Sequence, residues 1–297
     1  MALAKKLRRF RIDKPHRFRL ADYGPADTCG IDIANAEAKA MLASGIERLS
    51  ALQEKLYAEN RWSVLVVFQA MDAAGKDGAI KHVMSGVNPQ GCQVHSFKQP
   101  STEELDHDFL WRIAKALPER GRIGIFNRSH YEAVLVERVH PEFVRASQLP
   151  DRRINDDFWD GRFKSIRHFE GNLARSGTLI LKFFLHISRE EQRKRFLARL
   201  EEPGKRWKFE MNDVVERKLW DKYMAAYEDA IRHTSRADAR WYVVPADNKW
   251  FARLVIAEAL IEAMEELKLE FPKVEGKALK RLNQVRRALM AEVPKRK

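Results

Sequence analysis

The run Ser63-Val-Leu-Val-Val-Phe68, followed at once by Gln69-Ala-Met-Asp72-Ala73-Ala74-Gly75-Lys76-Asp77-Gly78, constrains the fold more than any other stretch. Its first part is short, β-branched and apolar without alternation. That pattern belongs to a strand covered on both faces, and so to the middle of a parallel sheet. Its second part places a Gly-Lys pair between this strand and a helix. Backbone N–H groups there wrap phosphate oxygens, the lysine reaches the outer ones, and the helix N-terminus adds its positive end. The spacing is that of GxxxxGK[ST] with two departures: Ala70 stands for the first glycine and Asp77 for the hydroxyl residue. An alanine serves only where the backbone does not need positive φ.

Further strand-like runs occur at 92–97, 122–126, 178–187 and 240–244, separated by helical periodicity at 104–117, 158–176 and 190–200. An amphipathic helix precedes the first strand between Ile33 and Glu59, and another closes the core from about Lys249 to Leu267. Five strands alternating with helices predict a doubly wound α/β sheet whose ligands bind at the carboxyl edge. No internal repeat or linker divides the chain. The expected organisation is a basic N-terminal arm (1–32), one phosphotransferase domain (33–270) with a lid at about 189–215, and a basic C-terminal tail (271–297).

Composition narrows the function classes. No apolar run is long enough to cross a bilayer and the first 20 residues lack the core of a signal peptide, so a cytoplasmic protein without a membrane role is expected. Cys29 and Cys92 have no CxxC or Cys/His companion, which leaves a disulfide framework or zinc site without support. The net charge of +13 is confined to the ends: residues 1–20 and 271–297 each carry +7, and the remainder sums to −1. Two readings of the ends stand, solvated arms or docking of a polyanion.

An acidic residue among phosphate-binding amides repels the ligand unless a cation intervenes, so Asp72 reads as a Mg²⁺ ligand, or as the group that positions or deprotonates an attacking phosphate oxygen. Asp77, in the first turn of the helix, is either a cap or part of the metal shell. The third strand ends in Asn127-Arg128-Ser129-His130-Tyr131-Glu132. Asn127 stands where conventional enzymes of this kind hold Mg²⁺ with an Asp, which shifts metal duty to Asp72. Arg128 suits bidentate contact with a transferring phosphoryl group. Glu132 and Glu137 either touch metal or nucleotide or pair with Arg128 and Arg138, and His130 reads as a packed or hydrogen-bonded residue. After the fourth strand, Ser188–Lys208 is rich in arginine and lysine and breaks at Pro203-Gly204, as a mobile lid over phosphates does. Arg189, Arg199, Lys205, Arg206 and Lys208 are its candidates, Arg193 and Lys194 read as a solvated face, and Trp207 either stacks on a base or, the favoured reading, fills the lid's own core.

From about residue 30 to residue 270 the sequence resembles the polyphosphate kinase 2 family. The resemblance rests on Met71-Asp-Ala-Ala-Gly-Lys-Asp-Gly78, Ser85–Gly91, Ser96–Pro100, Phe126-Asn-Arg-Ser-His-Tyr-Glu132, the Pro-Gly-Lys-Arg-Trp-Lys turn and Trp241–Trp250. It implies a three-layer P-loop kinase-like fold similar to thymidylate kinase, with a five-stranded parallel sheet, a helical lid and helical terminal extensions. It further implies transfer of a terminal phosphoryl group from inorganic polyphosphate to adenine or guanine nucleotides, with Mg²⁺ or Mn²⁺, in a homo-oligomer, a dimer or tetramer. Asp72, Lys76 and Arg128 then correspond to metal ligand, phosphate clamp and transition-state stabiliser. Ala73, Ala74, Gly75, Asp77, Gly78, Asn127, Tyr131, Glu132, Glu137 and Arg138 line the phosphate and nucleotide site. The wording of the Asn127–Glu132 segment resembles the branch accepting AMP as well as ADP. Lys81, Lys98 and the basic ends are candidates to extend a polyphosphate groove. The rival readings are an ATP-dependent kinase of a small metabolite and a nucleic-acid binder using its basic ends. The second leaves Asp72 unexplained.

Overall fold

In the computed structural model, which describes residues 2–31, 35–147, 149–155 and 157–292, five parallel strands run β1 (Ser63–Ala70), β2 (Cys92–Ser96), β3 (Ile123–Asn127), β4 (Thr178–His186) and β5 (Ala239–Pro245) along the chain. Their order across the sheet is β2-β3-β1-β4-β5. β1 is central, with Val64 opposite Ile123 on one side and Leu179 on the other. Its residues from Ser63 to Gln69 are all buried, as expected of a strand covered on both faces. Edge strand β2 is only half-buried and leaves Val94 exposed.

Helices cover both faces of the sheet. On one, Asn35–Glu59 packs along Lys249–Glu266, with Gly45 facing Ile261. On the other, Phe158–Arg175 packs with Trp220–Thr234. β1 is followed by a crossover to the β2–β3 side, and the chain later passes to the β4–β5 side. The carboxyl ends of β1, β3 and β4 therefore flank a topological switch point, where a cleft opens.

Two expectations change. The helix read across 104–117 is two short helices, Thr102–Leu105 and Trp111–Lys115. Ser101 and Glu104 form a capping box on the first, and Asp108 Oδ1 accepts the Leu110 N–H in the turn between them. The N-terminal arm is not solvated. Leu7, Phe10, Ile12, Phe18 and Leu20 are buried in the common core, and Ile12 N–H donates to Trp241 O at 2.9 Å. Arg11 bridges Tyr242 antiparallel, so the arm covers the outer edge of β5. Its cations stay outside, with Arg8 paired to Glu262 and Arg9 to Asp27. At the other end, Gly276–Ala291 is a helix with no buried residue. The expected junction at 32/33 and the last five residues of the tail lie outside the described residues.

Candidate active site

β1 ends at Ala70, and Met71–Gly75 turn into the helix Lys76–Val83. Ala70 is still strand, so its replacement of glycine is tolerated. The left-handed conformations fall later, at Ala73 (φ 61°) and Gly75 (φ 104°). Lys76 folds back across this loop, and its Nζ donates to Ala70 O at 2.9 Å. Burial, with the charge of Arg128, lowers the pKa of Lys76 although Asp72, Glu132 and Asp77 oppose the shift.

The end of β3 lies beside the loop. Arg128 has a left-handed backbone (φ 64°), and its N–H donates to Phe68 O at 3.0 Å. Its guanidinium reaches Asp72 Oδ1 at 3.2 Å. Burial by itself would lower the Arg128 pKa, but Glu132 and Asp72 hold it above its ordinary value. Glu132 is positioned by Gln69, whose Nε2 donates to Oε1 at 2.9 Å. Asn127 Nδ2 donates to Asp77 Oδ1 at 2.8 Å. The residue that replaces the loop's hydroxyl and the residue that replaces the usual Asp at the end of β3 are therefore bound to each other.

These groups share one cleft of about 1560 Å³. Ligand pockets usually hold about 300–1,000 Å³, and this cleft exceeds that range. Asp72, Ala73, Ala74, Gly75, Lys76, Asp77, Gly78, Asn127, Arg128, Glu132 and Glu137 line it, as do Lys98, Arg199 and Lys205. Glu137 meets Arg162 at 3.2 Å, and burial raises its pKa against that partner.

Several expected members are elsewhere. Tyr131 is fully buried, its hydroxyl donating to Glu170 Oε1 at 2.8 Å, within a core network that includes Lys182, Thr234 and Trp241. His130, expected to be packed or hydrogen-bonded rather than part of the site, joins the same carboxylate at 3.2 Å and also borders the cleft. Arg138 turns away from the cleft to Asp229 at 2.6 Å and lies over the rings of Trp159 and Phe163. Arg189 and Arg206 do not line the cleft either; Arg206 Nε donates to Leu200 O at 2.9 Å. Lys81 is on the exposed side of its helix, and the side chain of Lys208 lies outside the described residues. Trp207 is no core residue. It is 76% exposed at the mouth of the cleft, with Nε1 donating to Gly204 O.

The structure also adds residues that the motifs do not single out. Lys249 and Arg253 bring further positive charge to the cleft. Arg195 is buried against the phosphate loop. The signal for Arg195 was present: with Gln192 and Phe196 it forms the inward face of the helix at spacings of three and four.

Among the described residues no three His, Cys, Asp or Glu side chains gather as a metal cage. Mg²⁺ seldom uses one. It keeps several waters and is held by one or two carboxylates together with substrate phosphates. Asp72 suits that role, and Asp213 lies near enough that, after burial, the charge of Asp72 helps raise its pKa.

Comparisons with known proteins bear on this site. The family model described as "Polyphosphate kinase 2 (PPK2)" matches residues 32–272. An ADP-polyphosphate phosphotransferase of Rhodopseudomonas palustris is 55% identical over 251 residues, 84% of this chain and 87% of that protein. An AMP/ADP-polyphosphate phosphotransferase of Meiothermus ruber is 46% identical over 269 residues, 91% of this chain and 97% of that protein. The crystal structure of polyphosphate kinase 2 from Arthrobacter aurescens superposes with a TM-score of 0.86 at 40% identity, covering 97% of both chains. With a family match that spans most of its length and a fold shared with a solved member, the chain belongs to the polyphosphate kinase 2 family.

Proposed function

We propose that this protein transfers the terminal phosphoryl group of inorganic polyphosphate to AMP and to ADP, ultimately forming ATP, in a reversible in-line reaction. The observation that carries the reading is the convergence of Lys76, Arg128 and Asp72 around the phosphate loop in a cleft larger than the usual ligand pocket. Donor and acceptor are both polyanions, so the chemistry needs charge neutralisation and alignment more than covalent catalysis. Lys76 holds the outer oxygens of the phosphate seated on the loop amides. Arg128 turns from Asp72 to the transferring group and stabilises the charge on its equatorial oxygens. Asp72, with Asp213 nearby, is suited to hold Mg²⁺ or Mn²⁺, which when bound neutralises phosphate charge. Arg199 and Lys205 attract the polyphosphate from the lid side, and Lys98 does so from the β2 side. Glu132, Asn127 and Asp77 keep the loop and Arg128 in register. Guanine nucleotides as further acceptors, a cytoplasmic setting and a homodimer or homotetramer complete the proposal.

The test is ATP formation from AMP, and separately from ADP, with polyphosphate and Mg²⁺, in the wild type, Asp72→Asn and Lys76→Ala. Product from both acceptors is expected, with turnover lowered by roughly 10²–10³-fold or more in each variant. Product from ADP alone removes AMP from the proposal. ATP hydrolysis without any transfer from polyphosphate points instead to an ATP-dependent kinase of a small metabolite.

A further inference from the structure

Peptide groups that turn their N–H toward a phosphate turn their carbonyls the other way, and buried carbonyls need donors. In this chain the helix Arg189–Glu201 supplies donors to three consecutive loop carbonyls. Gln192 Nε2 donates to Asp72 O at 3.0 Å, and Arg195 Nη1 donates to Ala73 O at 3.1 Å and Ala74 O at 2.8 Å. The rest of the same guanidinium is also committed. Nη2 donates to Ala246 O at 2.7 Å and Asp247 O at 3.0 Å, just past β5, and Nε donates to Glu191 Oε1 at 2.8 Å. An arginine has five N–H groups, and all five are used here. Although Arg195 lies at the wall of the cleft, it has none left for a phosphate. With Gln192 on Asp72 O and Arg195 on Ala73 O, the carbonyls of both peptide groups that meet at Ala73 are held, and Ala73 is left-handed without being glycine.

We propose that Arg195, backed by Gln192, is a positioning residue for phosphoryl transfer: it fastens the Asp72–Ala74 carbonyls outward, so that the loop amides face the phosphate before any ligand arrives. The inference rests on the function proposed above. It also makes the first two turns of this helix part of the phosphate site, while Lys205 beyond its end belongs to the lid. A lysine cannot replace the fork. Its single nitrogen cannot reach carbonyls of the loop and of the β5 end in the same planar arrangement.

Arg195→Lys and Arg195→Ala test this. For Arg195→Lys, kcat falls roughly 100-fold, the loss typical of a displaced catalytic group, and amide hydrogen exchange quickens across residues 72–76. Free guanidinium at low concentration restores part of the kcat of Arg195→Ala and none of that of Lys76→Ala. Unchanged kcat per folded molecule, or wild-type exchange in the loop, overturns the proposal. So does a rise in KM with kcat intact, because Arg195 would then be binding phosphate directly. If Arg195→Ala does not fold, Arg195→Lys decides the matter alone. If the wild type transfers nothing from polyphosphate, the functional reading fails, while loop exchange still judges the positioning role.

Discussion

Arg128 holds a left-handed backbone that glycine adopts freely and that costs a residue with a side chain about 1–3 kcal/mol. The cost is met because the conformation brings a guanidinium to the phosphate loop while its N–H stays bound to Phe68. Arg128→Gly should therefore separate stability from activity: a melting temperature equal to or above that of the wild type, with kcat lowered at least about 100-fold, as for loss of an arginine that stabilises transition-state charge. A parallel fall in melting temperature would mean that the arginine's contacts outweigh the strain. Lys76, Asp72 and Arg128 were legible in the sequence because chemistry restricts their types and spacing. Tyr131 was not, since a tyrosine within a phosphate-site motif reads the same whether it faces ligand or core. Arg195 left only a weak signal, its spacing of three and one from Gln192 and Phe196, because in a helix this rich in arginine, lysine and glutamate the charged residues mask which face turns inward.

At the scale of elements, the helix Phe158–Arg175 is fixed to β4 by a buried ion pair, Lys182 Nζ to Glu170 Oε2 at 2.6 Å, both side chains fully enclosed. Burial would raise the Glu170 pKa, but Lys182 and His130 bring it below the ordinary carboxyl value. Removing one partner strands a charge, so Lys182→Met should cost about 3–5 kcal/mol, and Lys182→Met with Glu170→Leu less than that. Urea denaturation of the single and double variants measures both. A second tie joins the helix Asn212–Lys218 to the core, where His140 Nε2 meets Glu216 Oε2 at 2.9 Å and Tyr223 donates to the same oxygen. Burial would lower the His140 pKa, but hydrogen bonds to Glu216 and Glu142, and their charges, raise it. The tie therefore stabilises fully below the unfolded value of about 6.5 and fades as pH rises through the raised folded value. The gap in melting temperature between wild type and His140→Gln should narrow over that rise; a gap independent of pH would refute the linkage. The strands themselves were readable to within a residue or two, because continuous apolar runs are so short here. The break at 106–110 was not, because helical periodicity persists across it.

For the molecule as a whole, the two basic ends are unlike. The N-terminal arm carries apolar residues between its cations, and those residues insert beside β5 and the helix Lys249–Glu266, with Phe10 edge-on to Phe251. The C-terminal helix contributes nothing to the core. Deleting residues 1–20 should thus cost several kcal/mol, since a single buried phenylalanine is worth about 3–5 kcal/mol, and deleting residues 276–297 should leave the melting temperature unchanged. Thermal melts of the two truncations check this. The uneven burial was foreshadowed by Leu7, Phe10, Ile12, Phe18 and Leu20, but net charge alone gave both ends the same value.

The arm's place along β5 also bears on how copies of this sheet can meet. Arg11 and Ile12 bind the outer side of β5 at Tyr242 and Trp241, whereas no described segment pairs with the outer side of β2. Where the arm is bound, at Trp241 and Tyr242, it occupies backbone on the outer side of β5 that an added strand would otherwise need.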